Sequence, residues 1–411
     1  MGRLNAAMTA LWLGGLCLMG SFASAQEFSG LARVTSEVSR ISDTGRGVDF
    51  QLGLSQGVPY RLFTLDGPAR LVLDFQEVDW TGLDPDAFLS GEAVASVQFG
   101  TYVPGWSRMV LELAEPMVVA AAALEVDPVT AAAVLKVELQ PSTPEDFAKA
   151  AGAPQDARWD LPAPQALDVL PYRDENAPLL VVLDPGHGGI DPGAKAAGGI
   201  VEKDLMLQFA LELGEVLVRS GQFAVQVTRD GDYFVSLERR TALAHQAGAD
   251  LFISLHADSL TQGHAHGSTV YTLSQEATDA ASASLAERHD RADLLSGTDL
   301  SQTDDLVVGV MLDLARQETQ PRSQALARAL VAGLKEQGGP LNRKPLRSAG
   351  FSVLKSADIP SVLVEIGFLS SARDLANLQD PEWRRQTATA MLKGLINWRI
   401  EDEARRALVR Q

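Results

Sequence analysis

Two apolar runs that each stop at a histidine constrain this chain more than any other feature: Val181 to Asp191 (VVLDPGHGGID) and Leu251 to Ser259 (LFISLHADS). A short run of β-branched and aliphatic residues ended by a loop reads as a strand buried in a parallel sheet. His187 and His256 therefore sit at two strand ends. Between them Glu202 opens an apolar-periodic run, Leu205, Leu207, Phe209, Ala210, Leu213 and Leu217, spaced for a helix packed on a sheet. Two imidazoles from strand tips and a carboxylate from a helix start form a three-ligand set with the fourth position open, which is how catalytic zinc is held. Ser361 to Gly367 (SVLVEIG) is another buried-strand pattern, and it carries Glu365 where an apolar strand tolerates no charge without a partner.

Strands and helices alternate through this second part of the chain. Strands are expected at 179–183, 224–228, 251–255, 268–273, 352–354 and around Glu365, and helices at 203–220, 237–247, 324–337 and from Pro381 onward. That order predicts an α/β domain over 178–400, a mostly parallel sheet flanked by helices, whose ligand site lies outside the carboxyl ends of the strands.

The first part reads differently. From about residue 30 to 140 short, partly alternating runs such as Val48 to Leu54, Arg70 to Phe75 and Arg108 to Leu113 are separated by Gly, Pro and Asp turns, the pattern of a small all-β sandwich. Residues 141–177, with Pro141, Pro144, Pro154, Pro162, Pro164 and Pro171 and little periodicity, are expected to form a semi-extended tether. The formal net charge of -18 argues against nucleic acid or an anionic membrane as partner. No segment after the first 25 residues has the length or apolarity of a membrane span.

Taken in order and spacing, the DPGHGG loop, Glu202, SLHAD and VEIGFLS resemble the zinc-dependent N-acetylmuramoyl-L-alanine amidases of the amidase_3 type, from Leu179 to the C-terminal helix. The resemblance implies Zn²⁺ as cofactor, His187, Glu202 and His256 as its ligands, and Glu365 as catalytic acid/base. It implies peptidoglycan as substrate, cut at the amide joining N-acetylmuramic acid to L-alanine, whereas the residues alone imply only metal-assisted hydrolysis. A zinc peptidase cutting within the stem peptide would use the same chemistry. The phrase FTLDGPARLVLDF resembles the AMIN module that precedes this amidase family and is thought to bind wall or place the enzyme at the division site; a purely structural β domain is the alternative.

A start with Arg3, an apolar stretch from Ala10 to Met19 too short to span a bilayer, and Ala23-Ser24-Ala25 reads as a cleaved signal peptide over residues 1–25, and so as export to the periplasm. Cys17 leaves with it, so no thiolate metal site is expected in the mature chain.

Residues 276–320 form a connection longer than compact α/β folds use, and its pattern is partly helical. Septal members of the resembled family carry a helical insertion here that covers the zinc and lends it a glutamate until an activator removes it. The expectation is autoinhibition, with Glu287 as blocking carboxylate or else Glu276, and a LytM-type division factor docking on Val307, Val310, Met311 and Leu314. Solvated helix-face charges are the plain alternative for both glutamates. Asp184 and Asp258 flank the histidines and either orient them or serve as turn residues. His264 and His266 are read as surface loop residues, and His245 and His289 receive no catalytic role.

Overall fold

In the computed structural model the described residues are 32–154, 177–260, 265–297 and 309–409, apart from Arg46, Glu77 and Ala357. The expected signal peptide, most of the tether, His264 and Val307 lie outside them, and the side chains of Val310, Met311 and Leu314 are likewise outside the description.

The N-terminal part is a two-sheet sandwich, as its alternation predicts. Its ten strands are β1 (Ala32–Thr44), β2 (Gly47–Leu54), β3 (Tyr60–Leu65), β4 (Arg70–Gln76), β5 (Val78–Asp79), β6 (Leu89–Ser90), β7 (Val94–Val103), β8 (Trp106–Leu113), β9 (Met117–Val126) and β10 (Ala133–Pro141). One sheet runs β5-β1-β2-β10-β9 with β6 added beside β1, and the other runs β3-β4-β8-β7. Phe50, Leu73, Phe75, Met109, Leu111 and Leu135, all fully buried, fill the space between them. A short helix α1 (Pro85–Phe88) adds Phe88 to that core.

The tether does not begin at Pro141. Residues 144–150 form α2 (Pro144–Ala150): Thr143 accepts a hydrogen bond from the Asp146 amide, Pro144 occupies the first turn where its missing N–H costs nothing, and Phe147 is fully buried in the sandwich core. A single aromatic anchor thus overrode the proline count.

The C-terminal part contains β11 (Leu179–Pro185), α3 (Glu202–Arg219), β12 (Phe223–Val227), α4 (Leu237–Ala247), β13 (Leu251–His256), β14 (Ser268–Leu273), α5 (Ala280–Leu295), α6 (Gly309–Glu336), β15 (Leu341–Ala349), β16 (Ser361–Glu365), α7 (Ala372–Gln379) and α8 (Pro381–Val409). The strands form one sheet in the order β12-β11-β13-β16-β14-β15, parallel except where β14 meets β16. Helices cover both faces because the side chains alternate. Val181, Leu183, Leu251, Ile253, Leu255, Val362 and Val364 pack under α3, α6 and α8, while Val182, Phe252, Tyr271 and Leu363 pack with Leu285 and Ala286 of α5. The strand expected at Ser352–Leu354 is a turn of 3-10 helix with Val353 and Leu354 buried; burial rather than strand pairing explains its apolar residues. The insertion supplies α5 and the first turns of α6, which runs on through Pro321 as one helix.

Candidate metal and catalytic site

His256 is the last residue of β13 and Glu365 the last of β16, and the two are register partners. Thr269 of β14 is the register partner of Glu365 on its other side. Side chains directly opposite in a sheet share a face, so His256, Glu365 and Thr269 form a row across three strands. Leucines and valines dictate the strands, and the chemistry sits where each strand leaves the core.

His187 reaches the same place from the loop after β11, with φ of 61°, a left-handed conformation uncommon for a residue with a Cβ and typical of functional loops. Gly186 has to lack a side chain, because a Cβ there would lie 2.2 Å from the His256 ring. Gly193 is similarly constrained, since its Cβ would come within 2.8 Å of both the His187 ring and a Glu202 oxygen.

Glu202, fully buried at the start of α3, lies between the two imidazoles: Oε2 is 3.3 Å from His187 Nε2 and Oε1 is 3.1 Å from His256 Nδ1. The amides of Ala194 and Ala257 also donate to its two oxygens, at 2.9 and 2.8 Å. Burial opposes its charge, but the two histidines hold its carboxyl well below the usual range. His187 Nδ1 is 2.7 Å from Asp191 Oδ2, which orients the ring and leaves Nε2 buried and turned toward Glu202, with no hydrogen bond among the described residues. Burial disfavours the His187 cation, yet Asp191 and Glu202 raise its pKa well above the ordinary value. His256 goes the other way, pushed down to about 4 by burial and by the neighbouring His289.

A buried imidazole nitrogen 3.3 Å from a carboxylate oxygen, a second neutral imidazole and that same carboxylate facing both are a donor set suited to a divalent metal ion. His187, His256 and His289 each offer a ligand atom, all within 4.8 Å of one another. The residues present therefore fit a metal.

Glu365 is fully buried. Its Oε2 accepts from the Asp258 amide at 2.9 Å and its Oε1 has no partner among the described residues. Burial, then the charges of Asp258 and Glu202, raise its pKa well above that of a free carboxyl. A carboxyl kept protonation-ready beside a metal site suits a general acid/base.

The flanking aspartates act less directly than the sequence suggested. Asp184 accepts from Thr228, Ser254 and Arg240, and it is Arg240 that donates to the His187 carbonyl at 2.8 Å. The carboxylate of Asp258 faces α5 instead of the two histidines of the strand ends: it is 3.2 Å from Arg288 and 3.4 Å from Nε2 of His289. The residue that does orient His187, Asp191, went unnoticed, although its position four residues on in a glycine-rich loop was visible.

The largest correction concerns α5. Glu287 and Glu276 are both exposed, and neither is brought to the histidines. His289, which had received no role, is buried with its ring 4.2 Å from that of His256 and 5.7 Å from that of His187. Leu285, Ala286 and His289 fall on one face of α5 at three- and four-residue spacing, and Leu285 sets that face against the sheet. Glu287 lies on the opposite side of the helix. The cavity that the three histidines line together with Asp184, Asp191 and Arg240 has a free volume of about 20 Å³. Arg288 donates to the Ser259 carbonyl at 2.6 Å and Asp290 accepts from the Ser352 hydroxyl at 2.9 Å, fastening the helix at its sides. His245 lies on α4, 3.3 Å from Asp358, and His266 lines a separate cavity.

The N-terminal sandwich touches this site. Ile190 and Phe234 pack with Phe63, Val72 and Val110, and Ile190 donates its amide to the Thr101 carbonyl. Arg70 donates to the Leu294 carbonyl and Arg108 to those of Ser296 and Gly297, so two buried guanidinium groups cap the C-terminal end of α5.

Residues 181–397 match the Amidase_3 family, described as N-acetylmuramoyl-L-alanine amidase, and residues 38–139 match the AMIN domain. The chain is 31% identical over 348 residues to the N-acetylmuramoyl-L-alanine amidase AmiC of Escherichia coli O6:H1, an alignment covering 82% of each protein. It is 38% identical over 220 residues to the N-acetylmuramoyl-L-alanine amidase AmiA of Escherichia coli K12, covering 53% of this chain and 75% of that one. A solved structure of the N-acetylmuramoyl-L-alanine amidase AmiC2 of Nostoc punctiforme is 27% identical, covering 54% of this chain and 96% of that one with a TM-score of 0.39.

Proposed function

Because this chain belongs to the Amidase_3 family of N-acetylmuramoyl-L-alanine amidases, with an AMIN domain ahead of the catalytic one, we propose that it is a zinc enzyme held closed by α5 and opened by a partner protein. The enzyme hydrolyses peptidoglycan at the amide between N-acetylmuramic acid and L-alanine. His187, Glu202 and His256 would hold the zinc, and His289 would offer it a further nitrogen in the closed form. When bound, the ion lowers the pKa of a water and polarises the amide carbonyl. Glu365 takes a proton as the amide is attacked and delivers it to the departing amine. Its raised pKa and the free Oε1 support that shuttle. Asp191 keeps the His187 tautomer that presents Nε2.

The observation that carries the zinc reading is the buried His187 Nε2, which faces Glu202 and makes no hydrogen bond among the described residues. The observation that carries the closed state is the His289 ring 4.2 Å from that of His256, both lining a cavity of about 20 Å³. A helix whose His289 lies against His256 would have to leave before a glycan strand can enter. A LytM-type factor would then bind the open form better, and holding 99% of molecules shut takes only about 2.7 kcal/mol. The place of work is the periplasm, at daughter-cell separation. No helix among the described residues is long and apolar enough to cross a membrane.

The test is mass spectrometry of purified sacculi treated with His289→Ala protein, with and without a chelator. Release of intact stem peptides that stops on chelation is the expected result. Trimmed muropeptides still attached to muramic acid indicate a peptidase instead, and release that ignores the chelator removes the zinc.

A further inference from the structure

Beside the row of His256, Glu365 and Thr269 the structure holds a cavity of about 390 Å³ that the chemistry above does not use. Its inner wall is Thr269 and Tyr271 of β14; its outer wall is Arg343, Lys344 and Arg347 of β15. Three cations gathered in one cavity of a chain with formal charge -18 are a local reversal of sign. The Thr269 hydroxyl lines the cavity, fully buried and without a hydrogen-bond partner among the described residues. An apolar site would have cost less with valine there.

Among the described residues lining the cavity, one is acidic, and it comes from the start of α5. Asp279, the residue that caps α5, accepts from the Ser282 amide with one oxygen and places the other 2.7 Å from Arg347 Nη1. Asn342 and the Lys344 carbonyl orient the same guanidinium at 3.3 and 3.2 Å. Burial alone would raise the Asp279 carboxyl, but Ser282 and Arg347 hold it below its ordinary value, so it stays ionised. When α5 departs, the cavity keeps its three cations and loses the carboxylate of Asp279.

We propose that Arg347, with Lys344 and Arg343, is the receptor for a carboxylate of the stem peptide, and that Asp279 occupies it in the closed enzyme as a substitute for that group. This deepens the amidase reading and rests on it. The spacing fits. From Asp279 to His289 the helix rises about 15 Å, the length of about four residues of extended peptide. Arg347 therefore reaches a carboxylate about four residues beyond the amide at the metal, and Thr269, next to Glu365, meets the peptide between. Two points of α5 thus cover groups that the substrate needs, His289 within the helix and Asp279 at its N-cap.

Calorimetry on metal-free, full-length protein tests this with a synthetic tetrapeptide, L-alanyl-γ-D-glutamyl-L-lysyl-D-alanine, against its C-terminal amide. Asp279→Asn frees Arg347, and that protein is expected to bind the free acid about tenfold or more tighter than the amide, the preference of a charge-assisted hydrogen bond. Adding Arg347→Ala abolishes the preference, and Arg347→Lys, which keeps charge but loses the fork, retains part of it. Equal binding of acid and amide by Asp279→Asn protein, no binding of either, or a preference that survives Arg347→Ala overturns the proposal. Each of those outcomes leaves wall cleavage by the His289→Ala enzyme untouched, so the two readings fail separately.

Discussion

The Arg108 guanidinium donates to the Gly297 carbonyl at 2.8 Å, so a residue of the N-terminal sandwich caps the helix that carries His289. Arg108 is held in place by a fork to Asp74 and by stacking 3.5 Å over the Tyr102 ring. Arg70 makes the companion contact at Leu294, and Glu112 pairs with Arg291 at the exposed edge. Hydrogen bonds from a charged donor contribute about 1.5–3 kcal/mol each, comparable to the whole preference needed to keep α5 shut. Arg70→Ala is therefore expected to speed hydrogen exchange in residues 285–295 and to raise basal wall hydrolysis several-fold, along with a lower melting temperature from the lost bonds to Pro68 and Asp66. Exchange in α5 identical to the parent's would show that the sandwich does not hold the helix.

His289→Ala and Glu287→Ala should behave differently. If 99% of molecules are closed, the His289 variant has up to about a hundredfold of basal activity to gain, whereas Glu287, exposed on the far side of α5, has none to release. Dye release from labelled sacculi without any partner protein measures both. A Glu287 variant that matched the His289 variant would return the blocking role to the glutamate.

Asp191→Asn removes the carboxylate that fixes the His187 tautomer while leaving the size of the side chain unchanged. Partners of this kind typically account for 10- to 100-fold in metal affinity, so zinc competition against a chromophoric chelator should show a loss of about that size. Unaltered affinity would mean that the Gly186 to Gly189 backbone alone sets the ring.

Phe147 tests where the β domain ends. Truncation to alanine empties a fully buried site in the sandwich core, and losses of about 3–5 kcal/mol are usual for such a change. Denaturant unfolding followed by the tryptophans of the sandwich reads it directly. A neutral result would put residues 144–150 back in the tether.

Acid should loosen the first turn of α5. Asp279 has a lowered pKa, so its contribution to the helix is present above the unfolded value of about 3.9 and is lost as pH falls through the folded one. Amide exchange of Ser282 and Ala283, corrected for intrinsic rates, is expected to rise below about pH 4. The Asp279→Asn protein should lack that step and exchange faster throughout.

Much of the site was legible because of where apolar runs stop. Val181 to Leu183, Leu251 to Leu255 and Val362 to Val364 specify buried strands, and a polar residue at the end of such a run has to lie at the rim of the sheet. His187, His256 and Glu365 could be grouped on that ground, and Glu202 on the helical period that follows it. The two-sheet sandwich was legible from alternation in the same way. Phe147 was missed because one buried aromatic among prolines leaves no periodic signal, and Asp184 was misjudged because its partner Arg240 lies 56 residues away.

His289 marks the boundary between the two kinds of information. The sequence alone determined that strands and helices alternate, which residues end the strands, and that an unusually long connection follows β14, since each of these depends on local propensity and period. Which face of α5 meets the metal site, and hence that an imidazole rather than a glutamate lies over it, was decided only in three dimensions. The rotation of that helix is set jointly by Leu285 and Ala286 against the sheet and by Arg70 and Arg108 at its C-terminal end, contacts from opposite ends of the chain that no local pattern encodes.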